Sequence, residues 1–274
     1  MASDLTNTDA VPAPVVPPAP AQSEPRPAAT PHRHRFLFVY GILGGVLAAA
    51  IAGVVVYAGR SISPAPAWSS WHPHGGGLGA AKQIGDQVGA SYRLPNGSQL
   101  VDVIAKAPTV PGQGGAPVPI NFFAIRGSQG TADRVFAVSS SNTIMYSLCG
   151  LGTSCTIATG KPSVARGTLV RREVLELALY TFRYVGGVKS IVAFMPPKNA
   201  STTPPAILLQ KSDLEAQLKT PLEQVLRAKT PLPAGIPAHE VQVIDSTTES
   251  RVYTYGISQT QQGDVVLVLK PLAA

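Results

Sequence analysis

Residues 163–195 read SVARGTLVRREVLELALYTFRY, then VGGVK, then SIVAFM. In the first part Leu169, Val174, Leu177, Ala178 and Phe182 recur at helical spacing and form one apolar face. Arg171, Arg172 and Glu176 are left for water. Gly186-Gly187 ends this helix as a glycine C-cap. The apolar, β-branched run 190–195 that follows is a strand, stopped by Pro196-Pro197. A long amphipathic helix feeding directly into an apolar strand belongs to a domain in which helices cover a sheet.

The flanking sequence extends this pattern in both directions. Upstream, Ala81, Ile84, Val88 and Tyr92 predict a helix over 79–92, with Lys82 and Asp86 as an i,i+4 pair. Pro95-Asn96-Gly97 turns the chain into a strand at 99–105. A Pro/Gly-rich loop spans 108–119, and strands are expected at 120–126, 134–139, 143–149 and 155–159. Downstream come a short strand at 207–210 and a helix opened by Ser212 with Glu215 three residues on. A second helical piece runs from Pro221 to Ala228. Three strands follow, at 240–245, 251–258 and 264–270, the last two joined by Gln259-Thr260-Gln261-Gln262-Gly263. There is no regular βαβ alternation and no fixed repeat. The expected class is α+β, with a mainly antiparallel sheet and two or three covering helices.

Ahead of this domain, residues 36–58 form a run of 23 without a charge, Asn, Gln, Ser, Thr or Pro. As a helix it spans roughly 35 Å, enough to cross a hydrocarbon core. Tyr40 and Tyr57 near its ends suit the interface. The run is longer than a signal-peptide core and is preceded by 35 residues, so an uncleaved single-pass anchor is expected, with cleavage near Ala65 and Ala67 as the alternative. Arg26, Arg33 and Arg35 precede it and only Arg60 follows closely, which sets the N-terminus inside and the larger C-terminal part outside. Gly41, Gly45, Ala49 and Gly53 fall every four residues and offer a ridge for helix pairing, hence a homodimer.

Composition agrees with an uneven chain of this kind. Of 274 residues, 26 are Gly and 26 Pro, while charged residues make up only 14%. Residues 1–35 contain eight prolines and no Phe, Trp or Tyr, a disordered tail in which Pro14-Val15-Val16-Pro17 has the spacing of a docking ligand. The formal net charge of +7 is dispersed beyond the apolar run, which excludes a nucleic-acid binder and suits lipid headgroups or envelope polymers. Residues 59–78 read as a juxtamembrane linker whose Trp68 and Trp71 rest at the interface or cap the next domain. His72 and His74 have no third ligand in sequence.

Chemistry-bearing signals are few. Cys149 and Cys155, the only cysteines, are expected to form a disulfide in an oxidising exterior. The alternative is a nucleophilic thiol partnered by His239, the one histidine of the folded part. Glu173 and Glu176 share a helix face but sit beside Arg171 and Arg172, as on a solvated surface. Asn96-Gly97-Ser98 and Asn199-Ala200-Ser201 match the glycosylation sequon. No nucleophile elbow, zinc-protease, Walker or dinucleotide motif occurs. No catalytic, cofactor-binding or metal-ligating set is assigned.

Through residues 171–184 with Val188-Lys189-Ser190-Ile191-Val192, and through Trp68, Trp71 and the helix end at Tyr92-Arg93-Leu94-Pro95, the chain resembles actinobacterial single-pass membrane proteins of the envelope. That resemblance implies an envelope location and carries no activity or site residues. Over about thirty residues the helix–strand unit is also similar to domains of spore-germination lipoproteins, without their lipobox cysteine. The expected function is a non-catalytic, membrane-anchored envelope protein whose outer domain binds a protein or polymer. The alternatives are an envelope hydrolase or transferase and an accessory subunit of a membrane complex.

Overall fold

A computed structural model describes residues 33–59, 67–127, 134–197 and 204–272. The chain divides into two units, Met1–Pro64 and Ala65–Ala274. In the first unit, helix α1 runs over Arg33–Gly59. Its side chains are described over 38–51, where all are exposed. Among the described residues no helix is long and apolar enough to cross a membrane. The expected span 36–58 extends past those side chains at both ends and draws no support from them. Gly41, Gly45 and Ala49 lie on the exposed part of α1, and nothing stands within 4 Å of a Cβ built on either glycine. The Pro-rich tail before residue 33 and the segment 60–66 lie outside the described residues.

The second unit is α+β. Its eight-stranded sheet is built from β1 (Asp102–Lys106), β4 (Phe122–Arg126), β5 (Val135–Ser139), β6 (Thr143–Cys149), β7 (Ser190–Phe194), β8 (Ala206–Gln210), β9 (Val252–Gln259) and β10 (Val265–Pro271). Their spatial order is β1-β6-β7-β8-β9-β10-β4-β5. Strands β2 (Thr109–Pro111) and β3 (Pro117–Pro119) make a separate antiparallel ribbon inside the expected loop. The main sheet is mixed. Two of its pairings, β6–β7 and β10–β4, are parallel, and the first is bridged by helix α3 (Val164–Tyr184).

Register sorts the side chains of β7 between two cores. Ile191 pairs with Ile144 and Leu209 and faces the helices, while Val192 pairs with Met145 and Leu208 and faces away. Burial on both faces is why β7 reads as an unbroken apolar run. The helix side is covered by α2 (Gly77–Ser91) and α3, with α6 (Ala238–Thr248) packed on α3. On the other side, Met145, Val192 and Leu208 join Phe123 of β4 and Leu267 and Leu269 of β10 in one cluster. The sheet therefore carries a hydrophobic core on each face.

Three local expectations change. Residues 240–245 are helix, not strand. Val241, Val243 and Asp245 look like alternation, but the buried positions are Glu240, Ile244, Thr247 and Thr248, which is helical spacing. Residues 155–159 are not a strand, because the chain leaves a short 3-10 turn at Thr153–Cys155 with Ser154 and Cys155 at φ of 53° and 62°. Here Gly150 meets the returning backbone so closely that a Cβ would stand 2.2 Å from the Thr156 carbonyl oxygen. Finally, Ser212 is not the cap of its helix. Asp213 accepts a hydrogen bond from the Gln210 amide at 2.9 Å, and a 3-10 turn, Lys211–Leu214, leads into α4 (Glu215–Lys219). A second short helix, α5 (Leu222–Val225), follows Pro221.

Trp68 is part of the core of this unit and meets Tyr180 and Tyr184 edge to face, both at 5.7 Å between ring centroids. Trp71 packs beside it on Tyr180. Of the two roles expected for the indoles, the structure places both on the C-terminal half of α3.

Candidate functional site

The sequence assigns Arg172 and Glu176 to the wet face of α3, yet Arg172 and Glu173 are wholly buried. Arg172 stands at the junction of four elements. Its Nε donates to Glu240 Oε2 at 2.6 Å, at the start of α6. Its Nη1 donates to the Tyr92 hydroxyl oxygen at 2.7 Å and to Glu176 Oε2 at 3.2 Å. Its Nη2 donates to the Arg227 carbonyl at 3.0 Å. Tyr92, just past α2, donates its own hydroxyl to Glu176 Oε2 at 2.6 Å, and the Arg227 amide donates to Glu240 Oε1 at 2.9 Å. Burial opposes the guanidinium charge, but Tyr92, Glu176 and Glu240 hold the group firmly ionised. Such a network is costly when half-made and specific when complete.

Glu173 is different. Neither carboxyl oxygen has a hydrogen-bond partner among the described residues. Burial, and then the neighbouring Glu176, raise its pKa well above the ordinary carboxylate value. Its surroundings thus favour the neutral form of the carboxyl. Glu176 is also raised by burial, an effect that Arg172 and Tyr92 partly reverse.

The largest cavity described lies at the other end of α3. It is a groove of about 600 Å³ whose surface is predominantly apolar. Val101, Val170, Met195 and Val252 form its walls, and the exposed side chains of Val164 and Leu272 stand at its edge. Its ionisable lining groups are both cations. Arg171 is paired with Asp245 at 2.7 Å, and Arg166 reaches the Thr159 carbonyl. Ser163 caps α3 here by accepting from the Arg166 amide. A second cavity, of about 400 Å³, opens on the far face of the sheet against Met145, Phe194, Tyr255 and Leu267. Met195 and Pro197 belong to both.

Cys149 and Cys155 form a disulfide with Cα atoms 4.4 Å apart. Its loop is shared between the cavities, Gly150 lining the groove and the two cysteines lining the second cavity. No thiol is therefore left to pair with His239, which is exposed on the first turn of α6. His72 and His74 meet edge to face on the surface, and among the described residues no group of three metal-ligating side chains assembles. Asn96 is exposed, while residues 199–201 lie outside the described residues. Gly41, Gly45, Ala49 and Gly53 belong to the other unit.

Sequence reading missed the groove and the buried network for different reasons. The groove is assembled from segments at 100–101, 150–171, 195–197, 205, 252 and 272, which no local pattern connects. The network had a faint signal, since Arg172 falls between Leu169 and Leu175 and close to the apolar stripe. No protein-family model matches the chain, and neither a curated protein nor a solved structure does.

Proposed function

We propose that this chain is a non-catalytic, single-pass membrane protein of the cell envelope whose C-terminal unit binds a protein or polymer partner through the groove at the start of α3. The observation that carries the binding reading is the groove itself. It offers about 600 Å³ of mostly apolar space with Val164 87% exposed at its edge, the size and character of a recognition site. The anchor rests on the uncharged run 36–58 of the sequence. An exterior location for the C-terminal unit rests on the flanking arginines and on the disulfide, which persists in oxidising compartments. A hydrolase or transferase would need its acid and base open to substrate. Here Glu173 and Glu240 are sealed in the core and Arg172 is tied to Glu240.

Two measurements test the proposal. Protease added to intact cells should remove the C-terminal unit, and full protection would refute the orientation. A photo-crosslinking side chain at position 164 should give one discrete adduct in cells. The same group at Gln262, exposed on the β9–β10 turn, should give none. Equal labelling from both positions, or none from 164, would refute the groove as the binding site.

A further inference from the structure

A third, smaller cavity opens above the buried network. It holds about 120 Å³, room for on the order of four waters. Unlike the groove it is mainly polar. Gln87 and Ser91 of α2, Glu176 and Tyr180 of α3, Trp71, and Glu223 of α5 surround it. The Trp71 and Tyr180 rings stand 5.5 Å apart between centroids at 72° to each other, two adjoining aromatic walls. The Tyr180 hydroxyl is pushed up to about 12 by burial first and Glu176 second, so this wall stays neutral.

The floor is Glu176, whose side chain keeps 16% of its surface open. Its Oε2 is engaged by the Tyr92 hydroxyl and by Arg172, while Oε1 takes no part in those bonds. Charge within the network does not balance. Arg172 is one cation shared by two acidic side chains, Glu240 and Glu176, and Glu176 is the one that lines the cavity. Glu223 adds a second carboxylate at the mouth, where the exposed Arg227 is the opposing cation. A cavity lined by a carboxyl side chain and two aromatic side chains matches an ammonium group, which gains from both the ring quadrupoles and the ion pair.

We propose that this cavity binds a small organic ammonium ion, seated on the Glu176 carboxylate and enclosed by Trp71 and Tyr180. The site is independent of the groove and of whatever partner the groove takes. A methylated ammonium fits better than a bare metal ion, because two aromatic side chains line the cavity while among the described residues no three metal-ligating side chains assemble there.

The test is a titration of the full chain in nonionic detergent with tetramethylammonium chloride, followed at the Trp71 indole N–H resonance and by calorimetry. A saturable shift is expected, absent with sodium chloride at equal ionic strength and with tert-butanol, the neutral analogue. Glu176→Gln and Trp71→Leu should each weaken binding by about tenfold, and Glu223→Gln by less. A response no different from sodium chloride, equal binding of tert-butanol, or wild-type affinity in a folded Glu176→Gln would overturn the proposal. Should Glu176→Gln fail to fold, Trp71→Leu decides: undiminished calorimetric affinity overturns it. Phosphocholine tests the source of the ammonium. Binding tighter than tetramethylammonium assigns it to a headgroup, and weaker binding assigns it to a free amine, each with the site intact.

Discussion

Replacing Glu173 by Leu should stabilise the second unit, and by an amount that grows with pH. The carboxyl is wholly buried, and neither oxygen has a partner among the described residues. Its pKa is raised in the folded state, burial being the main cause. A group raised on folding contributes full stability below its unfolded value and loses it as pH climbs toward the folded one. The unfolded carboxyl releases its proton near 4.5. Above that, each pH unit costs the wild type somewhat over 1 kcal/mol for as long as folded Glu173 remains protonated. At pH 7 the wild type also carries the penalty of two buried, unpartnered oxygens, about 1–3 kcal/mol. Glu173→Leu removes that penalty, which at about 2–4 °C per kcal/mol for a unit of this size raises Tm by roughly 2–12 °C, and removes the pH-dependent loss as well. Glu173→Gln removes the titration but keeps an unpaired buried amide, so it should lie between the two. The assay is thermal unfolding of the full chain in nonionic detergent from pH 4 to pH 8. Glu176 titrates in both proteins, so the difference between variant and wild type isolates position 173. An unchanged or lowered Tm at pH 7, or pH profiles that run parallel, would refute a neutral, unpartnered carboxyl at this position.

Other outcomes follow from the same packing. Arg172→Met leaves Glu240 and Glu176 buried without their cation and should cost about 3–5 kcal/mol in denaturant unfolding. Adding Glu240→Leu should recover a large part of that loss, and a double variant no better than the single one would refute the pairing. Converting Cys149 and Cys155 to Ser together opens a short loop and should cost about 2 kcal/mol on the chain-entropy view; an unchanged midpoint would show that the reduced loop is already held. Ser163→Ala removes the cap of α3 and should cost about 1 kcal/mol. It should also reduce crosslinking from position 164, since it loosens the helix end that borders the groove.

The elements that sequence disclosed are those whose pattern is local. The helix over 163–184 and the strand at 190–195 are legible because apolar spacing and Gly186-Gly187 act within a few residues. The disulfide was legible from the cysteine pair alone. What escaped was set by distant partners. Residues 240–245 carry β-branched residues in apparent alternation, yet the segment coils so that Glu240, Ile244, Thr247 and Thr248 share the buried face, Glu240 being held by Arg172 and the Arg227 amide. Arg172 and Glu176 were read as wet because charge normally marks the outside of a helix. Their burial depends on Tyr92 and Glu240, 80 and 68 residues away from Arg172. The parallel pairings were hidden likewise, since nothing in 122–126 announces a neighbour at 265–271. The site residues expected from sequence mark the border of the groove at best, through the Cys149–Cys155 loop.

The position of β10 governs the order in which the molecule can be made. It lies between β9 and β4, and it pairs with β4 residues 144 positions earlier in the chain, Val266 with Phe122. Until residues beyond 264 leave the ribosome, the β4–β5 hairpin has an open edge and no place in the sheet, and Phe123 has lost its cover of Leu267 and Leu269. A growing chain of this protein carries sticky, half-built surface through about half of its synthesis. Any truncation ahead of Val265 would leave that surface permanently uncovered, a substrate for chaperones and proteases.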